Sequence, residues 1–435
     1  MLDTTKKTAH TEERPFSVLR SPFSVLRSPF SVLRSPFSLI RRNFSLSVFV
    51  LIAAVFSLVA CPSSGGDGGG DGDDDIETTY TVTFAANDSG DGTSVTGLPS
   101  PITGVTSGEK IAQPNSNPER ADFIFDGWYT EAAGTNAWNF AADTVTANIT
   151  LYAKWIAPGD LMIRTLSGVA VKFRYVPGGK FQRNSTAGNV SIITKGYWLG
   201  ETEVTQELFQ AIMQTNPSHF TNAVDGEDGT PGKLPVEQVS WYDAIAFCNK
   251  LSIADRKQPV YSVDGINDWS GSITIPISNN TTWDAATQDL SKNGYRLPTE
   301  MEWMWAAMGA DKTAQPNTSG YNKAFAGSNG SNSIGDYAWY YNSYKTHKVG
   351  QKTANELNLS DMSGNVWEWV WDWADSYPNG ERTDFTGPAS GSNRVLRGGS
   401  WNDADLGCKV AYRDNYDVPR SRYNHYGFRV LVAAQ

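Results

Sequence analysis

The sequence predicts an α+β fold with much irregular structure, preceded by a smaller unit built from strands. Three observations support this prediction. The 435 residues are 40% hydrophobic and include 15 Trp, which is enough apolar surface for two or three domains. Residues 79–156 alternate apolar and polar side chains in short runs and show no helical period. Residues 159–435 place helix-start signals among many short strands and long Gly, Asn and Ser loops.

Residues 1–60 are predicted to be a lipoprotein signal region. A 17-residue apolar stretch at 44–60 follows two arginines and ends in Leu-Val-Ala immediately before Cys61. A basic start, an apolar middle and a small residue before a cysteine are typical of a bacterial lipoprotein signal, so Cys61 is the predicted lipidation site. A short transmembrane anchor is the less favoured alternative, because the stretch is at the lower limit of length for spanning a bilayer.

The residues before this signal are unusual. Within 15–41 the hexapeptide Pro-Phe-Ser-Val-Leu-Arg occurs three times, and a degenerate fourth copy follows. The proline in each copy excludes a continuous helix. We hypothesise that translation starts near Leu39, which leaves a signal peptide of ordinary length. Residues 61–78, rich in Gly and Asp, are predicted to be a flexible tether.

The first folded unit, residues 79–156, is predicted to consist of strands. Residues 80–84, 123–129 and 149–155 are the clearest of them. The unit resembles the Listeria–Bacteroides repeat of bacterial surface proteins, and the resemblance implies a small β-grasp-like module. Such modules act as spacers or adhesive units. Because no catalytic constellation is visible in this segment, we favour a spacer.

Three helices are predicted in the main domain, residues 159–435. The first is the amphipathic run Gln206–Met213. The second begins after Ser240, whose side chain can cap the helix while Asp243 sits at the third helical position. The third begins after Thr299, with Glu302 in the corresponding place. These starts are set among short strands, which is the basis of the α+β prediction.

Three tracts of the main domain carry a resemblance to a known family. Residues 361–369, 397–401 and 426–430 read DMSGNVWEW, RGGSW and YGFRV. Together they resemble the sulfatase-modifying-factor family, whose founding members make formylglycine. The resemblance runs along residues 159–435 and implies a C-type-lectin-like fold.

The resemblance breaks at the residues that carry the enzymes' chemistry. Formylglycine-generating enzymes hold copper with two cysteines, and the corresponding positions here are Asp403 and Cys408. Cu(I) needs soft thiolate ligands, and a carboxylate is too hard to replace one, so copper is not expected. The histidine that follows the first cysteine is Ala404 here. If the chain is an enzyme after all, the resemblance leaves Cys408, Ser400 and Trp367 as the candidate catalytic residues.

The remaining cysteine of the main domain, Cys248, is expected to be a buried free thiol. It lies on the apolar face of the second predicted helix. In oxidising members of the family the cysteine at this place pairs with one in the last strand, where this chain has Val430. A Cys248–Cys408 disulfide stays open as the alternative.

The tract at 361–369 predicts a structural calcium site. Asp361 and Glu368 supply two hard carboxylates, and Gly364 permits a tight turn. By resemblance, the calcium loop of the family uses the positions of Asp361 and Glu368 through side chains, and those of Gly364 and Val366 through carbonyl oxygens. A solvated acidic turn before a Trp-rich strand is the alternative.

Segment 402–426 has the composition of a binding face. Asn, Asp, Tyr, His and Ser fill 13 of its 25 positions, and such side chains combine large contact area with adaptable hydrogen bonds. Trp401 and Phe428 are expected to anchor its ends in the core. The segment is similar to the mutated C-terminal region of variable proteins of diversity-generating retroelements, with an ordinary polar loop as the alternative. The candidate ligand-binding residues are Asn402, Asp403, Asp405, Tyr412, Asp414, Asn415, Tyr416, Tyr423, Asn424, His425 and Tyr426.

The predicted function is ligand binding at the bacterial cell envelope. We expect a protein attached to the membrane by a lipid on Cys61 that binds an unidentified protein or glycan through segment 402–426. Residues 61–435 contain 28 Lys and Arg against 43 Asp and Glu, a formal charge of −15, which argues against nucleic acid as a partner. An oxidoreductase of the sulfatase-modifying type that acts on protein cysteine is the alternative.

Overall fold

The computed structural model describes residues 77–88, 90, 92–221, 231–341, 343–414 and 417–434. The predicted signal region, Cys61 and nearly all of the tether lie outside the described residues, as do Asn415 and Tyr416. Within the described ranges, no helix is both long and apolar enough to cross a membrane.

The N-terminal unit is built from strands, as predicted. Its strands are β1 (Thr79–Ala85), β2 (Val95–Thr96), β3 (Ile102–Thr106), β4 (Glu119–Arg120), β5 (Ile124–Tyr129) and β6 (Ile149–Ile156). The two long strands β1 and β6 pair in parallel at the centre of a sheet of order β3-β1-β6-β5, and β2 pairs with β4. Trp128 and Leu151 lie in the core beneath this sheet. The predicted β-grasp-like module is thereby confirmed.

The main domain contains several short sheets. Its strands are β7 (Leu161–Leu166), β8 (Val169–Val176), β9 (Gly179–Gln182), β10 (Val190–Ile193), β11 (Tyr197–Gly200), β12 (Tyr261–Ser262), β13 (Thr287–Gln288), β14 (Tyr295–Arg296), β15 (Trp367–Trp373), β16 (Arg382–Thr383), β17 (Arg394–Arg397), β18 (Arg413–Asp414), β19 (Tyr426–Gly427) and β20 (Leu431–Ala433). The larger sheets have the orders β14-β20-β11-β8-β7 and β18-β17-β15-β19. Two smaller sheets have the orders β16-β10-β9 and β12-β13. Together with the helices described next, these short sheets and the long irregular connections between their strands confirm the predicted α+β class.

The predicted helix starts are confirmed. The α-helices are α1 (Gln206–Met213), α2 (Trp241–Ala254), α3 (Thr281–Asp284) and α4 (Glu300–Ala307), and 3₁₀ turns occur at Pro231–Lys233, Gly320–Asn322, Ile334–Asp336 and Asp405–Cys408. Ser240 and Asp243 form a capping box at the start of α2, and Thr299 and Glu302 form another at the start of α4. Helix α2 is buried on nearly all sides, so the apolar face predicted for it was too narrow.

The N-terminal unit contacts the main domain directly. Ile124 and Ile156 pack against the core of the main domain. Lys312 forms an ion pair with Asp122. Residues 157–160 connect β6 to β7. The spacer expected from the sequence is therefore packed onto its neighbour along an apolar contact.

The sheet that contains β15 positions segment 402–426. Strand β15 pairs antiparallel with β17 on one side and parallel with β19 on the other. Segment 402–426 starts after β17 and ends in β19, so its two ends are held on opposite sides of β15. Within the segment, β18 pairs with β17 and ties its middle to the same sheet. The backbone of this segment is thus supported at three places.

Candidate functional site

Asp403 is held in a partly buried hydrogen-bonded arrangement. Its Oδ2 atom accepts a hydrogen bond from the indole N–H of Trp367 at 2.8 Å and another from the hydroxyl of Ser400. Gly399, with φ of +77°, lies against Gly407, where an added Cβ would come within 2.8 Å of a carbonyl oxygen. This close approach folds the turn that brings Asp403 to Trp367. The residue at the first copper-ligand position therefore has a structural role with two donors.

Cys408, predicted to correspond to the second copper ligand of the enzymes, is a buried thiol. Cys408 is buried, and its carbonyl oxygen accepts a hydrogen bond from the hydroxyl of Ser363. Burial, together with the neighbouring charges of Asp403 and Asp405, raises the pKa of the Cys408 thiol to about 12. The thiolate is the form that binds metals and attacks substrates, so the raised pKa disfavours both at neutral pH.

Cys248 is a buried free thiol, as predicted, and Cys408 is also free. The alternative of a disulfide between them is therefore wrong for this structure. Burial raises the pKa of the Cys248 thiol as well. Cys248 lies inside the core around helix α2, which accounts for its inert state.

Exposure divides the candidate ligand-binding residues into three groups. Asn402, Asp405, Tyr412 and Tyr423 are exposed, the two tyrosines by 40% and 49% of their surface. A second group is partly buried: Asp403, Asn424 and His425. The third consists of Tyr426, which is only 4% exposed. The side chain of Asp414 and the whole of Asn415 and Tyr416 lie outside what the structure describes.

Tyr426 corrects the prediction of a fully displayed segment. Its hydroxyl donates to Asp417, and its ring packs edge-on against Trp369 with the centroids 5.4 Å apart. Because Tyr426 belongs to strand β19, which pairs with β15, its side chain is directed into the core. The sequence showed only the residue type, and the sheet pairing decided its burial.

Trp401 also departs from expectation. It is partly exposed and packs edge-on against Phe220, with the ring centroids 5.5 Å apart. Its indole N–H donates to the carbonyl oxygen of Asn424 at 3.1 Å. Phe428, by contrast, is fully buried. Trp401, one of the two expected core anchors, is therefore only partly buried, and its hydrogen bond to Asn424 connects the two ends of segment 402–426.

Two further exposed tyrosines lie in a loop that contacts segment 402–426 through Tyr341. Tyr341 and Tyr344 project from the loop after the Ile334–Asp336 turn. The amide of Tyr341 donates to the carbonyl oxygen of Asp403 at 2.8 Å. The sequence reasoning missed this loop, although residues 337–344 hold four tyrosines and so carry the same compositional signal.

The two side chains predicted to bind calcium, Asp361 and Glu368, have different hydrogen-bond partners. The Glu368 carboxylate accepts from Arg429 at Oε1 (2.6 Å) and Oε2 (2.7 Å), and from the indole N–H of Trp303 at Oε2 (2.7 Å). A calcium ion bound to the same carboxylate would stand beside the guanidinium charge, so Glu368 does not fit the role implied by the resemblance. Asp361 accepts a hydrogen bond at Oδ2 from the amide of Gly350 at 2.7 Å, and its carboxyl group also contacts that of Glu203.

A third carboxylate adjoins this pair, and the sequence reasoning missed it. Glu203 is buried, and its carboxyl group lies within hydrogen-bonding distance of the carboxyl group of Asp361. Burial raises the pKa of Glu203 well above its usual value, and the charge of Asp361 raises it further. Burial likewise raises the pKa of Asp361 to about 6. In the sequence Glu203 is one of two glutamates two residues apart before helix α1, which gave no reason to single it out.

The chain is similar to known families and to several known proteins. The sulfatase-modifying factor enzyme 1-like domain matches residues 169–434, and the Listeria-Bacteroides repeat domain matches residues 80–154. Treponema denticola variable protein 1, a solved structure, is 40% identical and superposes with a TM-score of 0.56, covering 63% of this chain and 99% of that one. Among curated proteins, chaperone protein LppX of Paenibacillus barcinonensis is 33% identical over 263 residues, covering 56% of this chain and 83% of that protein. Formylglycine-generating enzyme of Streptomyces coelicolor is 31% identical over 183 residues, which cover 38% of this chain and 54% of the enzyme.

Proposed function

The chain belongs to the family of the sulfatase-modifying factor enzyme 1-like domain, and we propose that it is a member that binds a ligand and does not oxidise a substrate. The observation that carries this proposal is Asp403, which stands at the first copper-ligand position and is hydrogen-bonded to Trp367 and Ser400. A hard carboxylate with two donors on it is a poor ligand for Cu(I). The buried, protonated thiol of Cys408 supports the same conclusion.

We propose that the ligand is a protein or glycan bound at segment 402–426. The exposed Tyr412 and Tyr423 support this, because tyrosine supplies large contact area at low entropic cost. Strand pairing holds the backbone while these side chains face solvent. The similarity to Treponema denticola variable protein 1 supports a further proposal, that the segment is diversified by a retroelement. A reverse-transcriptase gene with a near-copy of the 3′ end that differs only at adenines would test this; their absence from the locus would count against it.

We also propose that a lipid on Cys61 attaches the protein to the cell envelope. The apolar stretch at 44–60 and the small residues before Cys61 support it. The Gly- and Asp-rich tether would then hold the folded domains away from the membrane surface.

Copper binding and turnover separate the ligand-binding proposal from the enzyme alternative. The purified protein is titrated with Cu(I) in competition with a chelator and incubated in air with a Cys-containing peptide, whose product is followed by mass spectrometry. A formylglycine-generating enzyme serves as the positive control. We expect neither copper transfer nor peptide conversion, and conversion above the rate of a Cys408→Ala variant would establish the enzyme.

Binding at segment 402–426 needs its own test. Protein and glycan arrays are probed with the wild type, with the double variant Tyr412→Ala/Tyr423→Ala, and with the double variant Ile277→Ala/Leu290→Ala. The second pair is also exposed but lies outside the segment, which makes it a matched control. We expect a ligand that is lost by the first variant and retained by the control. Equal binding of the ligand by both double variants would show that the ligand binds outside segment 402–426.

A further inference from the structure

Strand β7 forms an open edge of the five-stranded sheet. It stands last in the order β14-β20-β11-β8-β7, and all of its residues, Leu161–Leu166, pair with β8 in unbroken register. Within the described residues, no strand pairs with its other side. Every second residue of an edge strand directs its backbone N–H and C=O groups outward, where another strand can bind them. Strand β7 therefore offers a row of backbone groups to a further strand.

This edge lacks the features that usually protect an exposed strand. Native edge strands are shortened, interrupted by bulges or proline, or covered. Of the edge strands that the structure describes, β14, β16, β18 and β19 have two residues each, and the pairing of β5 with β6 is irregular between Phe125 and Gly127. Strand β7 is longer, regular and free of proline. It also exposes Leu161 and Ile163 on one face, by 43% and 57% of their surface.

The sequence around Met162 is complementary to itself. Residues 160–164 read DLMIR. When two such strands pair antiparallel about Met162, Asp160 of each lies opposite Arg164 of the other. Leu161 of each then lies opposite Ile163 of the other. Opposite residues share a face of the sheet, and opposite-charge and apolar pairs both stabilise it, whereas pairing about Arg164 would set two like charges against each other.

The two charged side chains are available for such pairs. Asp160 is exposed, and its Oδ2 accepts from the amide of Ala157 at 2.7 Å, which fixes the carboxylate at the start of β7. Arg164 is exposed and forms no ion pair with another described residue. Asp126 lines a cavity together with Arg164, but its carboxylate is ion-paired with Lys154 at 3.2 Å.

We propose that the chain forms a two-fold symmetric dimer in which β7 pairs antiparallel with β7 of a second copy, centred on Met162. The two sheets then become one sheet that runs through both copies. A second copy fits this edge because the strand carries both halves of each charged and each apolar pair. The dimer does not depend on the function proposed for segment 402–426. If both hold, a dimer presents two copies of that segment and gains affinity for a multivalent ligand.

Sedimentation velocity tests the dimer and its charge pairs. The full chain carries Cys61→Ala, which leaves Cys248 and Cys408, both buried, as its cysteines. We expect a reversible dimer at micromolar concentration. Arg164→Asp sets two carboxylates against each other in each pair and should weaken the dimer at least about tenfold. Adding Asp160→Arg to Arg164→Asp reverses each pair without removing it, so the double variant should regain the dimer.

Disulfide trapping tests the register. Met162→Cys should form a covalent dimer on mild oxidation, because opposite Cα atoms of an antiparallel pair are about 4.5–5.5 Å apart, within the range that a disulfide spans. Ile277→Cys is the control, since Ile277 is 86% exposed and random collisions would favour it. A chain that stays monomeric at micromolar concentration would overturn the proposal. So would wild-type dimerisation of Arg164→Asp, or equal cross-linking of the two cysteine variants.

Discussion

The exposed tyrosines of segment 402–426 can be truncated at low cost to folding if the segment is a displayed surface. Tyr412 and Tyr423 keep 40% and 49% of their surface exposed. The ring of Tyr412 contacts Trp367 at a centroid distance of 5.9 Å, and the ring of Tyr423 contacts Tyr426 and His425 at 5.1 and 5.6 Å. The perturbation is the pair of single variants Tyr412→Ala and Tyr423→Ala, compared with Phe428→Ala.

The magnitudes follow from burial. A fully buried aromatic side chain removes roughly 150–250 Å² from water, and each half-exposed tyrosine therefore removes about 100 Å². At about 25 cal/mol per Å², less the surface already buried in the unfolded chain, each truncation should cost about 1–2 kcal/mol. Phe428 is fully buried and packs against Phe247 at a centroid distance of 5.2 Å. Its truncation leaves a cavity and should cost about 3–5 kcal/mol.

Urea unfolding followed by tryptophan fluorescence measures these differences. Phe428→Ala should lower the urea midpoint more than Tyr412→Ala or Tyr423→Ala does. The slope of unfolding free energy against urea concentration should stay constant, which shows that only stability has changed. If Tyr412→Ala or Tyr423→Ala costs as much as Phe428→Ala, the segment is part of the core and the reasoning about a displayed face fails.

Three further predictions concern separate parts of the chain. Cys61→Ala should abolish lipid labelling and release the protein from the membrane fraction; unchanged labelling would refute lipidation there. Trp401→Ala should lower the free energy of unfolding by about 2 kcal/mol in the same urea assay, roughly half the value for a fully buried aromatic residue. A loss of about 4 kcal/mol or more would show that Trp401 is a core anchor after all. Burial raises the pKa of Glu237 from 4.5 to about 7. The folded state thus holds this proton more tightly, and the stability it contributes is full below pH 4.5 and lost as the pH rises through about 7. Glu237→Gln should remove that loss from a pH series of urea midpoints, and a variant that keeps the wild-type slope would contradict the assignment.

Local chemistry made much of the fold predictable. Ser240 with Asp243, and Thr299 with Glu302, form capping boxes within four consecutive residues, so the starts of α2 and α4 could be read from short stretches of sequence. The strands of the N-terminal unit follow from alternation with period two. The sequence also has Asp403 where the family resemblance implies a copper-binding cysteine, and this residue type is the basis for predicting that the family's copper chemistry is absent.

Tertiary structure decided which polar side chains are available. Glu368 was predicted from the sequence to bind calcium. In the folded structure both of its carboxylate oxygens accept hydrogen bonds from Arg429, which lies 61 residues away in the sequence. Glu203 acquired its place beside Asp361 only when strands far apart in sequence closed the core around both. Tyr426 went into the core because β19 pairs with β15. The sequence determines each residue type and the local period of apolar residues. The exposure and the hydrogen-bond partners of a side chain depend instead on contacts between distant segments, because those segments come together when the whole apolar surface is buried.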